Sequence, residues 1–311
     1  MSANNHRTRH GPSHPAPPRL RERLRTKPIL LAPGIYDALT ALLATNAGAE
    51  ALYLSGAALA YTRLGRPDIG LVAMAEIADT IALIRDRVTT PLIVDADNGY
   101  GNALNMQRTM RVFERAGANA LQIEDQSYPK RCGHLTEKRL VSAEEMIGKI
   151  KAAADARASR DTLIIARTDA IAVEGVSAAL DRAGRYAEAG ADVLFVEAPG
   201  TREELGAIVR SLGCGLPLMA NMVEGGRTPI LAASELEALG FSLVIFPGGV
   251  VRAIARAAQA FYATLIHDGT TTAFRHSMFD FDELNAVIGT PEMLALGKSY
   301  EADAPFVTTK P

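Results

Sequence analysis

The stretch PLIVDADNGYGNALNMQRTMRVFERAGANALQIED, residues 91–125, decides the fold. It opens with a short apolar, β-branched run (91–97) and crosses a Gly-Tyr-Gly turn. A helix-like segment follows over 106–116, ends in an Ala-Gly pair able to supply a left-handed stop, and gives way to a second apolar run at 120–125. Strand, helix and strand in this order, with near-continuous apolar strands, form the unit of a parallel sheet.

Working outward, the same alternation gives eight apolar runs: residues 28–33, 51–56, 91–97, 120–125, 163–169, 193–198, 217–222 and 243–248. Segments 142–156, 176–189, 202–211 and 234–239 read as helices between them. Eight regular repeats favour a closed (β/α)8 TIM barrel over a doubly wound open sheet. Beyond the last run, 251–267 continues as a helix. From 274 to about 300 the chain keeps helical apolar spacing through Phe279, Phe281, Leu284, Val287, Ile288, Met293 and Leu294. These C-terminal helices are surplus to the barrel and are expected to pack outside it, on their own subunit or another.

The 311 residues, 48% of them hydrophobic, suffice for one barrel domain over 26–311 with a helical extension from about 270. Residues 1–25, rich in Pro, Arg and His, lack core-forming periodicity and read as a loose tail. Their prolines would break the amphipathic helix of a transit peptide. A net charge of -2 without a basic stripe argues against a nucleic-acid or anionic-membrane partner, and no apolar run reaches the ~20 residues of a membrane span. Two distant cysteines, Cys132 and Cys214, point to a reducing, cytoplasmic setting without a disulfide.

In such a barrel the chemistry sits where the strands end. Those ends carry Ser55, Asp95, Asp97, Glu124, Asp125, Arg167, Asp169, Glu197 and Asn221. So many acids at one spot repel unless something positive lies among them, and a bound cation answers that need. Asp95 and Asp97 are two apart and share one side of their strand. With Glu124 they suit a hard, oxygen-ligated ion, Mg²⁺ or Mn²⁺, better than zinc. The blander alternative is that these acids cap helices or pair with Arg167, and a DxD pair alone is a weak signal. The second cluster is Lys130-Arg131-Cys132-Gly133-His134, on a loop between Ser127 and Arg139. Flanking cations lower a thiol's pKa, and the glycine allows close approach to a ligand. A cysteine beside a histidine is more often inert than reactive, but its place at the catalytic end of a strand favours proton exchange. Cys214 and the remaining histidines have no such setting, and no dinucleotide fingerprint follows the first strand.

Taken together, YLSGAALA (53–60), RPDIG (66–70), VDADNGYG, IEDQ (123–126), KRCGH (130–134), ARTDA (166–170), VEAPG (196–200) and ANMVEGGRTP (220–229) resemble the isocitrate lyase and phosphoenolpyruvate mutase superfamily. The resemblance spans about residues 24–303 and is strongest to its short lyase branch, which acts on alkylmalates and methylisocitrate. It implies Mg²⁺ held by Asp97, with Asp68, Asp95 and Glu124 ordering its waters. It also implies a pocket for a small dicarboxylate built from Tyr36, Asp37, Ser55, Gly56, Ala57, Asp97, Gly133, Glu197, Asn221 and Thr228. Arg167 would bind carboxylate or enolate oxygens, and Cys132, helped by Lys130 and His134, would be the acid on a closing loop. A homotetramer, a dimer of dimers with swapped C-terminal helices, is implied as well. Three positions bear on the branch. Phosphonate mutases characteristically lack the Cys-Gly-His loop, which ranks a carboxyvinyl-carboxyphosphonate phosphorylmutase below the lyase. Oxaloacetate hydrolases of the family carry a serine near strand eight, where this chain has Pro247. Methylisocitrate enzymes follow Cys-Gly-His with arginine, where this chain has Leu135, which favours a smaller, more apolar alkylmalate.

Overall fold

A computed structural model describes residues 19–133, 137–213 and 215–301. Eight parallel strands run β1 Leu30–Ile35, β2 Leu52–Leu54, β3 Leu92–Asp95, β4 Ala120–Glu124, β5 Leu163–Thr168, β6 Val193–Val196, β7 Leu218–Asn221 and β8 Leu243–Phe246. They pair in sequence order and close into a barrel, Leu30 lying opposite Leu243 and Ala32 opposite Ile245. Seven of the eight expected runs contain a strand, and the first overlaps β1, which continues two residues past it to Ile35. At the closure a Cβ on Gly34 would collide with the backbone of Pro247, so this position has no room for a side chain.

The pleat then sorts the residues. On β3, Ile93 faces the barrel interior while Leu92 and Val94 pack under the helices. On β5, Leu163 and Ile165 face in while Ile164 and Ala166 face out, and β6 repeats this with Val193 and Phe195 against Leu194 and Val196. One further inward step beyond the apolar layers gives Ser55 after Tyr53, Asp95 after Ile93, Glu124 after Gln122, Arg167 after Ile165, Glu197 after Phe195 and Asn221 after Met219. The rim residues therefore converge because strand alternation carries them there. Asp125 falls on the outward parity and faces away from the mouth, donors from Thr168 and Tyr186 reaching its carboxylate at 2.7 and 2.8 Å.

A polar layer separates the apolar interior from the mouth: Tyr53 donates its hydroxyl to Gln122 Oε1 at 2.7 Å, and Gln122 Nε2 donates to Asp95 Oδ1 at 3.4 Å. At the opposite end a short helix, Leu20–Arg23, closes the floor, and its Leu20 joins Leu24 in the interior core. The expectation of a loose segment up to residue 25 therefore fails for residues 20–24. Leu20 and Leu24 stand one helical turn apart on a single apolar face that the surrounding arginines mask in the sequence.

The expected helices appear as Ala103–Ala116, Ala143–Ala156, Val176–Glu188, Arg202–Leu212 and Ala233–Leu239, joined by Ala38–Asn46 and Met74–Arg87. Gly117 and Gly240 end theirs with φ of 109° and 117°, the left-handed stop read from the Ala-Gly and Leu-Gly pairs. Gly249–Asp268, Phe281–Ile288 and Thr290–Lys298 lie outside the barrel. Here Phe281, Met293 and Leu294 stay exposed, while Arg87 donates to the Ile288 carbonyl at 2.7 Å. Among the described residues no helix is long and apolar enough to cross a membrane.

Candidate active site at the barrel mouth

One cavity at the strands' C-terminal ends brings together Ser55, Ala57, Asp68, Asp95, Glu124, Lys130, Cys132, Gly133, Arg167, Glu197 and Asn221, all nominated from the sequence. Tyr53, Tyr61, Val223, Ile245, Pro247 and Arg252 complete its wall. Tyr61 went unforeseen: it sits on a widened π turn, Ala60–Leu64, one residue past the recognisable YLSGAALA stretch. Such turns recur at functional sites.

Two buried cations answer part of the acid crowding. The Lys130 ammonium lies 2.6 Å from Asp68 Oδ1 and 2.7 Å from Asp97 Oδ1. Arg167 stands 3.3 Å from Glu124 Oε2 and forks onto Asp169, Nε to Oδ2 and Nη2 to Oδ1, each at 2.9 Å. Part of the bland reading thus holds, since Glu124 does pair with Arg167. Yet around the mouth the buried acids Asp68, Asp95, Asp97, Glu124, Asp169 and Glu197 outnumber the buried cations Lys130, Lys138 and Arg167. Burial, with the neighbouring acids adding to it, disfavours charge on these carboxyls. Burial pushes the Asp97 carboxyl up to about 7, with Lys130 opposing and Asp95 and Asp68 adding to the rise. Burial likewise raises Glu124 well above the usual carboxylate range despite Arg167.

Asp97 reaches the cluster differently from the expected route. β3 ends at Asp95, and Asp97 follows with φ of 47°, its amide donating to Asp95 Oδ1 at 3.2 Å. A left-handed residue, not strand pleat, aims it at Lys130. Gly56 stands close by, where a Cβ would lie 3.1 Å from Asp95 Oδ2.

Several nominated residues stand elsewhere. Tyr36 and Asp37 border a separate outer groove with Leu39, Thr62, Arg63 and Leu83, away from the mouth. The Asp37 carboxylate is engaged as the N-cap of Ala38–Asn46, accepting from the Thr40 amide at 2.7 Å. Thr228, Gly56 and Asp97 are buried but do not line the cavity, Asp97 bordering a neighbouring pocket with Tyr100, Tyr128 and Lys130. His134 and Cys214 lie outside the described residues.

The Cys132–Gly133 turn closes over the mouth. Gln126 grips its approach, accepting from the Arg131 amide at 2.9 Å and donating to the Arg131 carbonyl at 2.8 Å, and the Cys132 amide donates to Asp68 O at 3.2 Å. Both cations beside the thiol reach acids, Lys130 as above and Arg131 Nη1 to Glu137 at 2.9 Å. Gly133 packs so tightly on Arg167 and Glu197 that a Cβ there would lie 2.7 Å from Glu197 Oε1. Asn221 Nδ2 in turn donates to both Glu197 oxygens at 3.2 Å.

Among the described residues no three His, Cys, Asp or Glu side chains form a ready cage for a metal. A hard ion that retains most of its water needs only one or two direct carboxylates, so this does not disqualify the site. Glu124 Oε1 is buried without a hydrogen-bond partner, and Asp97 Oδ1 has only an ion pair out of hydrogen-bond alignment. Orphaned carboxylate oxygens within an acid excess fit a divalent cation.

Comparison with known proteins agrees with this geometry. Residues 20–266 match the family described as phosphoenolpyruvate phosphomutase. The chain is 42% identical over 282 residues to 2,3-dimethylmalate lyase of Eubacterium barkeri, covering 91% of this chain and 97% of the relative. It is 45% identical over 270 residues to 2-methylisocitrate lyase of Aeropyrum pernix, covering 87% and 86%. The fold superposes on the crystal structure of 2,3-dimethylmalate lyase, a PEP mutase/isocitrate lyase superfamily member, with a TM-score of 0.87, 34% identity, and 94% and 98% coverage. It superposes on phosphonopyruvate hydrolase in complex with oxalate and Mg²⁺ with a TM-score of 0.82, 32% identity, and 90% and 97% coverage. The chain therefore belongs to the phosphoenolpyruvate phosphomutase family, within the PEP mutase/isocitrate lyase superfamily.

Proposed function

We propose that this protein is a Mg²⁺-dependent carbon–carbon lyase that cleaves a small 2-hydroxy dicarboxylate, an alkylated malate, into an α-keto acid and a shorter carboxylic acid. The observation that carries the reading is the cysteine-bearing turn packed onto Arg167 and Glu197 above the acid-crowded mouth. The names of the related lyases support it, as does the Mg²⁺ and oxalate complex of the related hydrolase.

Asp97, Asp95 and Glu124, with Asp68, would hold the ion. When bound, it supplies positive charge that stabilises oxyanions of the keto acid. Ser55 and the backbone at Gly56 and Ala57 bind one substrate carboxylate. Arg167, fixed in direction by its fork onto Asp169, stabilises charge that builds on oxygen as the C2–C3 bond breaks. Glu197 and Asn221 shape the far wall, while Val223, Ile245 and Pro247 give an apolar surface for an alkyl substituent. The 2-hydroxyl gives its proton to a carboxylate of the acid cluster as its oxygen becomes the keto carbonyl and the C2–C3 electron pair passes to the departing fragment; Cys132 delivers a proton to that fragment's carbon, and the turn that bears it excludes water. Lys130, two residues before the thiol in the sequence, and His134, two after it, assist its charge.

A screen of malate derivatives with product analysis tests this reading. We expect an α-keto acid plus a shorter acid from an alkylmalate, with turnover lost to a chelator and restored by Mg²⁺. Oxalate plus acetate from oxaloacetate, or pyruvate plus CO₂, with alkylmalates untouched would replace the lyase by a hydrolase or decarboxylase. Rearrangement of a phosphonate would replace it by a mutase.

The reading extends to assembly. Phe281, Met293 and Leu294 on the C-terminal helices, and Phe279 just before them, are exposed apolar side chains that a monomer would leave wet. A homotetramer with exchanged C-terminal helices covers them. Light scattering is expected to give about four times the 33.1 kDa chain mass, and a concentration-independent monomer overturns the assembly.

A further inference from the structure

The mechanism leaves a buried cation beside the mouth unused. Lys138, with a side chain only 1% exposed, follows the Cys132–Gly133 turn and points back beneath it. Its ammonium donates to the Gly133 carbonyl at 2.6 Å and to Asp169 Oδ1 at 2.8 Å. The same Oδ1 accepts from Arg167 Nη2, so one carboxylate ties the turn to the oxyanion-binding guanidinium. Asp169 is itself held fast: its amide donates to Asp125 Oδ1 at 2.9 Å, and Thr168 and Tyr186 hold the other Asp125 oxygen. A buried ammonium is stable only while its acceptors are present, because an unmatched charge in a dry site is costly. Lifting the turn takes the Gly133 carbonyl away from Lys138, so the lysine favours the lowered position.

We propose that Lys138 is a positioning residue: through Asp169 and the Gly133 carbonyl it latches the Cys132–Gly133 turn over Arg167 and sets where the thiol meets the substrate. This rests on the lyase reading, in which Cys132 is the proton donor. On the near side of the thiol, the Arg131 backbone and the Cys132 amide are fastened to Gln126 and Asp68. The carbonyl beyond the thiol is held by Lys138, which fixes the direction in which the thiol leans.

The test uses full-length protein with Cys214→Ser in the background, so that Cys132 is the sole thiol. Two variants, Lys138→Met and Lys138→Gln, are compared with this parent for kcat, KM and the rate of Cys132 alkylation by iodoacetamide, with and without Mg²⁺ and oxalate. A lost latch displaces the thiol, so kcat should fall roughly 100-fold while KM stays within about threefold. Alkylation should quicken about tenfold, and protection by oxalate should vanish, since the turn no longer stays down. A merely structural lysine would lower the melting temperature without quickening alkylation of the folded protein. If either folded variant turns over and alkylates like the parent, the latch is overturned. Failure of the lyase reading looks different: Cys132→Ser would then retain full turnover, whatever the Lys138 variants do.

Discussion

Cys132→Ser is expected to lower kcat by roughly 10³-fold while substrate affinity changes by less than about threefold. The thiol lines the cavity at the end of a turn anchored through the Arg131 backbone and the Cys132 amide, so replacing sulfur by oxygen leaves those anchors intact. What changes is the ability to release a proton, because a hydroxyl is a far weaker acid than a thiol. A step made only in the transition state disappears, and the loss falls on kcat. Steady-state kinetics beside calorimetric titration of a substrate analogue separates the two quantities. Turnover above about a tenth of wild type would sink the assignment of Cys132 as the acid.

Arg167→Met should be more damaging still, because it removes a catalytic charge and a structural one together. Loss of the guanidinium leaves Glu124 and Asp169 buried beside an apolar side chain. Breaking one side of a buried ion pair costs about 3–5 kcal/mol, a fall in Tm on the order of 5–10 °C for a domain of this size. With oxyanion stabilisation gone as well, kcat/KM should fall by at least roughly 10³-fold. The thermal loss should depend on pH. Burial alone would raise the Asp169 carboxyl, but Arg167 and Lys138 outweigh it and hold it down to about 2. A carboxyl depressed in this way adds stability that is complete above its unfolded value near ~4 and is lost as pH falls through about 2. The gap between wild type and Arg167→Met is therefore widest at neutral pH and narrows below about pH 4. Melting curves from pH 7 to 3 check this, and a gap that widens on acidification contradicts it.

The barrel was legible because a parallel strand buried on both faces writes itself as an apolar run, and six of the eight runs carry near their end a polar residue that the pleat takes to the mouth. Ser55, Asp95, Glu124, Arg167, Glu197 and Asn221 could be placed for that local reason. What escaped depends on contacts far apart in sequence. Asp169 was visible as a rim acid, but its bond to Lys138 spans 31 residues, and nothing around Lys138 marks it. Lys130 was expected beside the thiol, whereas its ammonium reaches across to Asp68 and Asp97. Asp37 misled because a carboxylate that caps a helix reads, residue by residue, like one that lines a pocket. Leu20 and Leu24 were lost among arginines, since only the closed barrel offers an apolar floor for them to cover.

The filled interior has a consequence for traffic. With Leu20 and Leu24 stopping one end and the Tyr53–Gln122 layer sealing the other below the mouth, the reaction chamber is a cul-de-sac. On the lyase reading, both fragments leave through the mouth by which the reactant entered, and the keto acid, held by the ion and Arg167, leaves last. Accumulated keto acid should then compete with fresh reactant for the empty chamber, while the shorter acid should not.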